Sequence, residues 1–249
     1  MISDSGTTPF FDFDNSGNIH LVLGTGNDGF AYYTALSGTG EILYYKIQMG
    51  SANFDSFTTT LTIRGSNVAC FWMERHKPPI TNFTTYIKSK IFLNGQAVSE
   101  EIFIDDNSTD ALRANPVIIW HNDTTLFAIW SRNGNQSFEP AYTDIYYKKL
   151  FLNPFRKAMS YDRIINNSKL HLSGLHPSII KKKNSEGYLI IMSEQDSLGY
   201  WNVTCSSVDD SLISNTTKIT VKEKVKPPTS WMSNAIILQK QNGNFIVIW

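Results

Sequence analysis

Five short apolar runs recur along the chain, each behind a turn-forming cluster. This recurrence constrains the fold more than any other feature of the sequence. The runs are Ile19–Gly24, Val68–Met73, Leu126–Ser131, Tyr188–Ser193 and Phe245–Trp249. Aligned at Gly24, Trp72, Trp130, Met192 and Trp249, they lie 48, 58, 62 and 57 residues apart. The clusters before them are Asp14–Gly17, Arg64–Asn67, His121–Thr124, Asn184–Gly187 and Gln241–Asn244. These carry the Asn, Asp, Gly and Ser that hairpin turns require.

Other strand-like segments surround each run. Asn115–Trp120, His176–Ile180 and Asn234–Leu238 precede the turns, and Pro116 and Pro177 are expected at the first residue of their strands, where a missing N–H is tolerated. Phe30–Ala35, Thr84–Lys90, Asp144–Lys149 and Tyr200–Cys205 follow with alternating character. More polar segments come last: Ile42–Ile47, Val98–Ile104, Ala158–Ile164 and Lys218–Val221. Continuous apolarity in the central strands, with alternation outside, is expected when blades pack face to face. No segment carries a 3.6-residue apolar period. The expected fold is all-β: a β-propeller of four-stranded antiparallel blades. Four complete blades fall at about 8–49, 55–105, 115–166 and 175–222, with a partial fifth at 229–249. A β-sandwich is the alternative, but it does not require one pattern to recur. Phe245–Trp249 would template aggregation if left exposed. The chain is therefore expected to be a fragment of a larger propeller, unless this strand closes a ring against the N-terminal strands.

Composition excludes several classes. Among 249 residues, 22 Lys and Arg balance 22 Asp and Glu, so no basic footprint for nucleic acid exists. Hydrophobic residues at 41% against 18% charged exclude a disordered chain. No apolar run approaches the ~18–20 residues of a membrane span. Two cysteines are too few for a disulfide scaffold. Cys70 and Cys205 fall in non-adjacent units and are expected to be free thiols.

The third unit, Pro116–Trp120, Leu126–Ser131 and Asp144–Tyr147, resembles the degenerate repeats of sialidase-like propellers and of large cell-surface propellers. Gly243–Trp249 fits the second half of that pattern. The resemblance implies a fold and not an activity. Sialidase chemistry uses three arginines, a Tyr–Glu pair and an Asp. The six arginines here, Arg64, Arg75, Arg113, Arg132, Arg156 and Arg163, match no such context. The stretch Ser193–Trp201 is a poor fit to the Asp-box turn.

Candidate sites are few, and no catalytic residues are assigned. Asp12, Asp14 and Ser16 alternate before Gly17, a spacing that suits oxygen ligation of Ca²⁺. The competing reading is a β-turn supported by Asp14. Asp105–Asp110 is a second acidic cluster, read as a solvated loop. The five histidines lack metal-ligand spacing. Gly24–Gly29 leads into a strand, so it is not a phosphate loop, and no cofactor is implied. Seven N-glycosylation sequons begin at Asn82, Asn107, Asn122, Asn135, Asn166, Asn202 and Asn215. Chance predicts roughly four for this Asn, Ser and Thr content. N-linked glycans and an extracellular or cell-surface location are expected, with a cytoplasmic location as the alternative. The leading functional expectation is a non-catalytic surface glycoprotein module that binds another protein or a glycan. A sialidase-like glycan-active enzyme or lectin is one alternative, and an intracellular protein-interaction propeller is another.

Overall fold

The computed structural model describes residues 7–25, 29–76, 84–104, 112–133, 143–152, 155–157, 162–164, 174–183, 186–195, 200–209, 218–225, 236–240, 242 and 244–248. These form five antiparallel sheets. Sheet one runs in chain order through β1 (Thr7–Phe13), β2 (Ile19–Gly24), β3 (Ala31–Leu36) and β4 (Ile42–Met49). Sheet two holds β5 (Phe54–Arg64), β6 (Asn67–His76) and β7 (Thr85–Leu93), with the short β8 (Gln96–Ala97) and β9 (Ile102–Phe103) both on β7. Sheet three holds β10 (Leu112–Asn122), β11 (Thr125–Asn133) and β12 (Thr143–Leu152), with β13 (Phe155–Lys157) and β14 (Asp162–Ile164) both on β12. Sheet four is β15 (Gly174–Lys181), β16 (Tyr188–Gln195), β17 (Trp201–Val208) and β18 (Lys218–Val225). Sheet five is β19 (Ile236–Gln239) paired with β20 (Phe245–Ile248). The described residues contain no helix.

Side-chain alternation explains the apolar runs. Val68, Cys70 and Trp72 of β6 pack toward sheet one, while Ala69 and Phe71 pack toward sheet three. On β11, Leu126, Ala128 and Trp130 face sheet two, and Phe127 and Ile129 face sheet four. Both faces of these strands are therefore buried, so no polar alternation survives. Trp72 and Trp130 are fully buried. Burying such a side chain stabilises the fold by about 2–3 kcal/mol. In sheet one it is Val22 that faces sheet two, so Leu23, not Gly24, is the counterpart of Trp72 and Trp130.

Two expectations are corrected. Pro116 and Pro177 do not begin strands; each is internal to its strand, at a bulge. The β10–β11 register shifts between Ala114 and Val117, and the β15–β16 register between Leu175 and Ser178. A bulge leaves one residue out of the ladder, which is where a proline without an N–H fits. The last strand of sheet two is split instead of continuous over Val98–Ile104. Ser99 Oγ accepts the Ile91 N–H at 2.8 Å, replacing a backbone partner, and the chain leaves the ladder until β9.

Candidate functional site

Antiparallel order gives the sheets two different ends. Tight turns at 14–18, 65–66, 94–95 and 123–124 lie at one end. Longer connections, such as those after β2, β6 and β11, lie at the other.

The first strands β1, β5, β10, β15 and β19 bound a common cavity of about 410 Å³. Its wall mixes apolar and hydrogen-bonding groups: Phe10, Thr58, Asn115, Val117, Ser178 and Ile236 among others. Four of these strands carry a register shift at the level of the cavity. They fall between Thr7 and Phe10, Phe57 and Thr59, Ala114 and Val117, and Leu175 and Ser178. The bulges turn the backbone locally and re-aim side chains. Thr58 and Asn115 adopt φ of 43° and 52°. For β-branched Thr58 this is a strained conformation costing about 1–3 kcal/mol. Strain of this kind persists only where surrounding structure imposes it, and it concentrates at ligand clamps. Among the described residues bounding the cavity there is no carboxylate. Toward the end with the longer connections, the described part of β5 supplies Asp55, 3.8 Å from Arg75 and largely buried.

A charged cluster lies at the same end, between sheets one and two. Glu74 Oε2 is 2.8 Å from Lys88 Nζ, and the Trp72 indole donates to Glu74 Oε1 at 2.7 Å. Glu101 lies 3.7 Å from both Lys88 and Lys90 and accepts the Gly50 N–H at 2.9 Å. Burial pushes the Glu74 carboxyl above its ordinary range, and the bonds from Lys88 and Trp72 only partly oppose this. The aromatic rings of Phe54 and Phe103 flank Lys88, whose Nζ is 5.1 and 5.0 Å from their centres. Glu74 and Lys88 are buried, while Glu101 and Lys90 are half-buried.

The expected metal residues are close in sequence but engaged locally. Asp12 accepts the N–H of Phe13 at 2.8 Å. Asp14 accepts from the Ser16 and Asn18 backbone, the Asn18 amide and His20 Nε2, at 2.8, 2.9, 2.8 and 3.3 Å. Burial works to raise its pKa, but these bonds outweigh it and hold the carboxyl below the ordinary range. This is the geometry of the turn reading. Among the described residues, no three His, Cys, Asp or Glu gather as a metal site. Of the sequons, Asn122 is exposed at the end of β10, and Asn202 is half-buried in β17. Asn82, Asn107, Asn135, Asn166 and Asn215 lie outside the described residues, as does Asp105–Asp110. Cys70 and Cys205 are free thiols, with Cys70 fully buried.

Sequence reasoning missed Thr58, Asn115, Glu74 and Lys88. A signal existed for the cavity residues: Thr8-Pro9, Asn115-Pro116 and His176-Pro177 recur at one place in three units. A signal existed for Glu74 too, because Glu194 stands at the same position of β16, bonded by Thr204 Oγ1 at 2.9 Å.

No protein-family model and no curated protein matches the chain. Solved structures share its fold. An α-L-arabinanase of Penicillium chrysogenum complexed with arabinobiose is 10% identical, with a TM-score of 0.69 over 99% of this chain and 76% of that one. A GH93 α-L-arabinofuranosidase of Fusarium graminearum with arabinobiose is 9% identical, with a TM-score of 0.68 over 98% and 74%. An endo-arabinase of Bacteroides thetaiotaomicron is 11% identical, with a TM-score of 0.61 over 99% and 89%. At such identities the likeness shows the fold alone, and that fold is of the β-propeller type. The resemblance therefore holds for propellers and not for the sialidase repeat in particular. The expectation of a non-catalytic module is corrected: the three solved structures named above, which share this fold over 98–99% of the chain, are arabinan-degrading enzymes.

Proposed function

We propose that the chain is a glycan-active enzyme of the five-bladed propeller type, cleaving arabinose-containing or related neutral glycans. The observation that carries the reading is the cavity where the first strands of all five sheets meet, on a fold shared end to end with arabinan-cleaving enzymes. Its wall suits a sugar. Thr58, Asn115 and Ser178 offer hydrogen bonds, while Phe10, Val117 and Ile236 offer apolar surface.

Glycoside hydrolysis in most families uses two carboxylates, one protonating the leaving oxygen and one acting as base or nucleophile. We assign Asp55 as one of this pair. It stands three residues before Thr58 on the same strand, with the Arg75 guanidinium 3.8 Å away. The test is release of reducing ends from arabinan, arabino-oligosaccharides and β-1,3-galactan. The wild-type chain is expected to cleave at least one of them. Asp55→Asn is expected to lower turnover by about 100-fold or more, with an unchanged circular dichroism spectrum. Failure of the wild type on every substrate overturns the enzyme reading. Full activity of Asp55→Asn overturns only its assignment.

The lack of an acid among the described residues of the cavity wall favours one second reading, a lectin that binds the same sugars without turnover. Binding without cleavage in the same experiment identifies it. A surface location is proposed with either reading. N-linked glycans at the seven sequons are tested by the mass lost on enzymatic deglycosylation of natively expressed protein.

A further inference from the structure

A second cavity, of about 280 Å³, lies at the opposite end of the sheets, where the tight turns of sheets one and two meet. We propose that it is a separate binding site for a small uncharged saccharide. Three turns build its rim. The β1–β2 turn supplies Asn18, the β5–β6 turn supplies Ser66 and the β7–β8 turn supplies Asn94. Amides and hydroxyls at this density match the alternating donors and acceptors of a sugar.

The floor is a chain of buried polar groups. Asp14 Oδ2 is 3.3 Å from His20 Nε2, and His20 Nδ1 is 2.8 Å from the Tyr33 hydroxyl. A carboxylate only accepts, so His20 Nε2 carries a proton toward Asp14. Nδ1, the other ring nitrogen, pairs with the Tyr33 hydroxyl. Among the described wall residues Asp14 is the carboxylate, and its oxygens are already engaged by four N–H groups. The site therefore offers polarity without strong charge, which selects a neutral ligand over a phosphate or a metal ion.

Tyr44 gives the wall an aromatic surface, stacked beside Tyr33 with centroids 6.5 Å apart. Aromatic rings suit the apolar faces of sugar rings. Gly95, at φ +73°, lets the β7–β8 turn close against Tyr44. A Cβ at position 95 would overlap the Tyr44 ring and displace it. The volume lies near the lower end of small-molecule sites, roughly 300–1,000 Å³. It suits a monosaccharide or disaccharide.

The choice of arabinose as probe rests on the function proposed above; the site itself does not. The test is an amide chemical-shift titration of the full chain with L-arabinose, which has no glycosidic bond to cleave. Hydrolysis is measured separately, so failure here leaves the enzyme reading intact. Saturable shifts are expected at residues 15–20, 44, 66 and 94–95. Asn94→Gly keeps the left-handed turn and removes the amide. It is expected to weaken these shifts at least fivefold while leaving any response at 58–60 and 115–118 unchanged. Silence at the turn residues overturns the proposal, as does identical affinity in Asn94→Gly and Ser66→Ala. Saturation of the same amides by CaCl₂ and not by arabinose also overturns it, in favour of a cation site.

Discussion

The interface between sheets two and three is apolar through its centre, whereas the one between sheets one and two buries charge. Between sheets two and three, Phe71, Ile87, Ile91 and Ala69 meet Ile118, Trp120, Leu126, Ala128 and Trp130. Between sheets one and two, an equivalent cluster of Val22, Tyr33, Met49, Cys70, Trp72 and Phe92 is bounded by polar networks. Glu74 and Lys88 lie at one end, and Asp14, His20 and Tyr33 at the other. Equivalent strand positions build both interfaces, so the repeat fixes where a side chain faces. The residue chosen two places after the aligned tryptophan then fixes the chemistry. It is Glu74 in one unit and Arg132 in the next.

The largest expected effect is at the apolar interface. Trp130→Ala is expected to destabilise the chain by about 3–5 kcal/mol, read as a lower urea midpoint with an unchanged slope. At the charged interface, Lys88→Met is expected to cost about 3 kcal/mol, because it strands Glu74 in a sealed site. The double variant Glu74→Leu with Lys88→Met is expected to recover most of that loss. A double variant as unstable as the single one would show that the pair itself, and not the stranded charge, stabilises the interface.

Close approach of sheets one and two comes next. A Cβ on Gly24 would meet Ser56 O at 2.6 Å and Phe57 Cα at 2.9 Å, both backbone. Gly24→Ala is therefore expected to destabilise by about 1–3 kcal/mol in the same assay.

The smallest effects depend on pH, with opposite signs at the two ends of one interface. Glu74 is raised above 4.5 in the folded chain. Its folded form holds a proton that the unfolded chain releases, so its contribution is lost as pH rises above 4.5. Asp14 is lowered below 3.8, so its contribution is present above 3.8 and lost as pH falls. In urea midpoints measured against pH, Glu74→Gln is expected to flatten the loss above 4.5. Asp14→Asn is expected to flatten the loss below 3.8, at an overall cost of about 1 kcal/mol.

Much of the architecture is legible in the sequence, because second strands buried on both faces must be continuously apolar. Leu126–Trp130 and Tyr188–Met192 show this directly. Turn clusters mark the hairpins for a similar reason: few residues tolerate those conformations. The site is harder to read. Thr58 looks like an ordinary strand residue in Phe57–Leu61, and only the register shift reveals its left-handed backbone. Lys88 sits in an alternating strand where exposure is the natural expectation, and its burial follows from Glu74 across the sheet. The functional expectation failed because sequons and low charge describe a surface, not the cavity where the first strands meet.

The most direct test is a crystal structure of the Asp55→Asn chain soaked with arabinobiose. The disaccharide is expected in the cavity between the first strands, within hydrogen-bond distance of Thr58, Asn115 or Ser178. An empty cavity at saturating sugar, with cleavage of no glycan by the wild type, would contradict the reading of this propeller as a glycan-active enzyme.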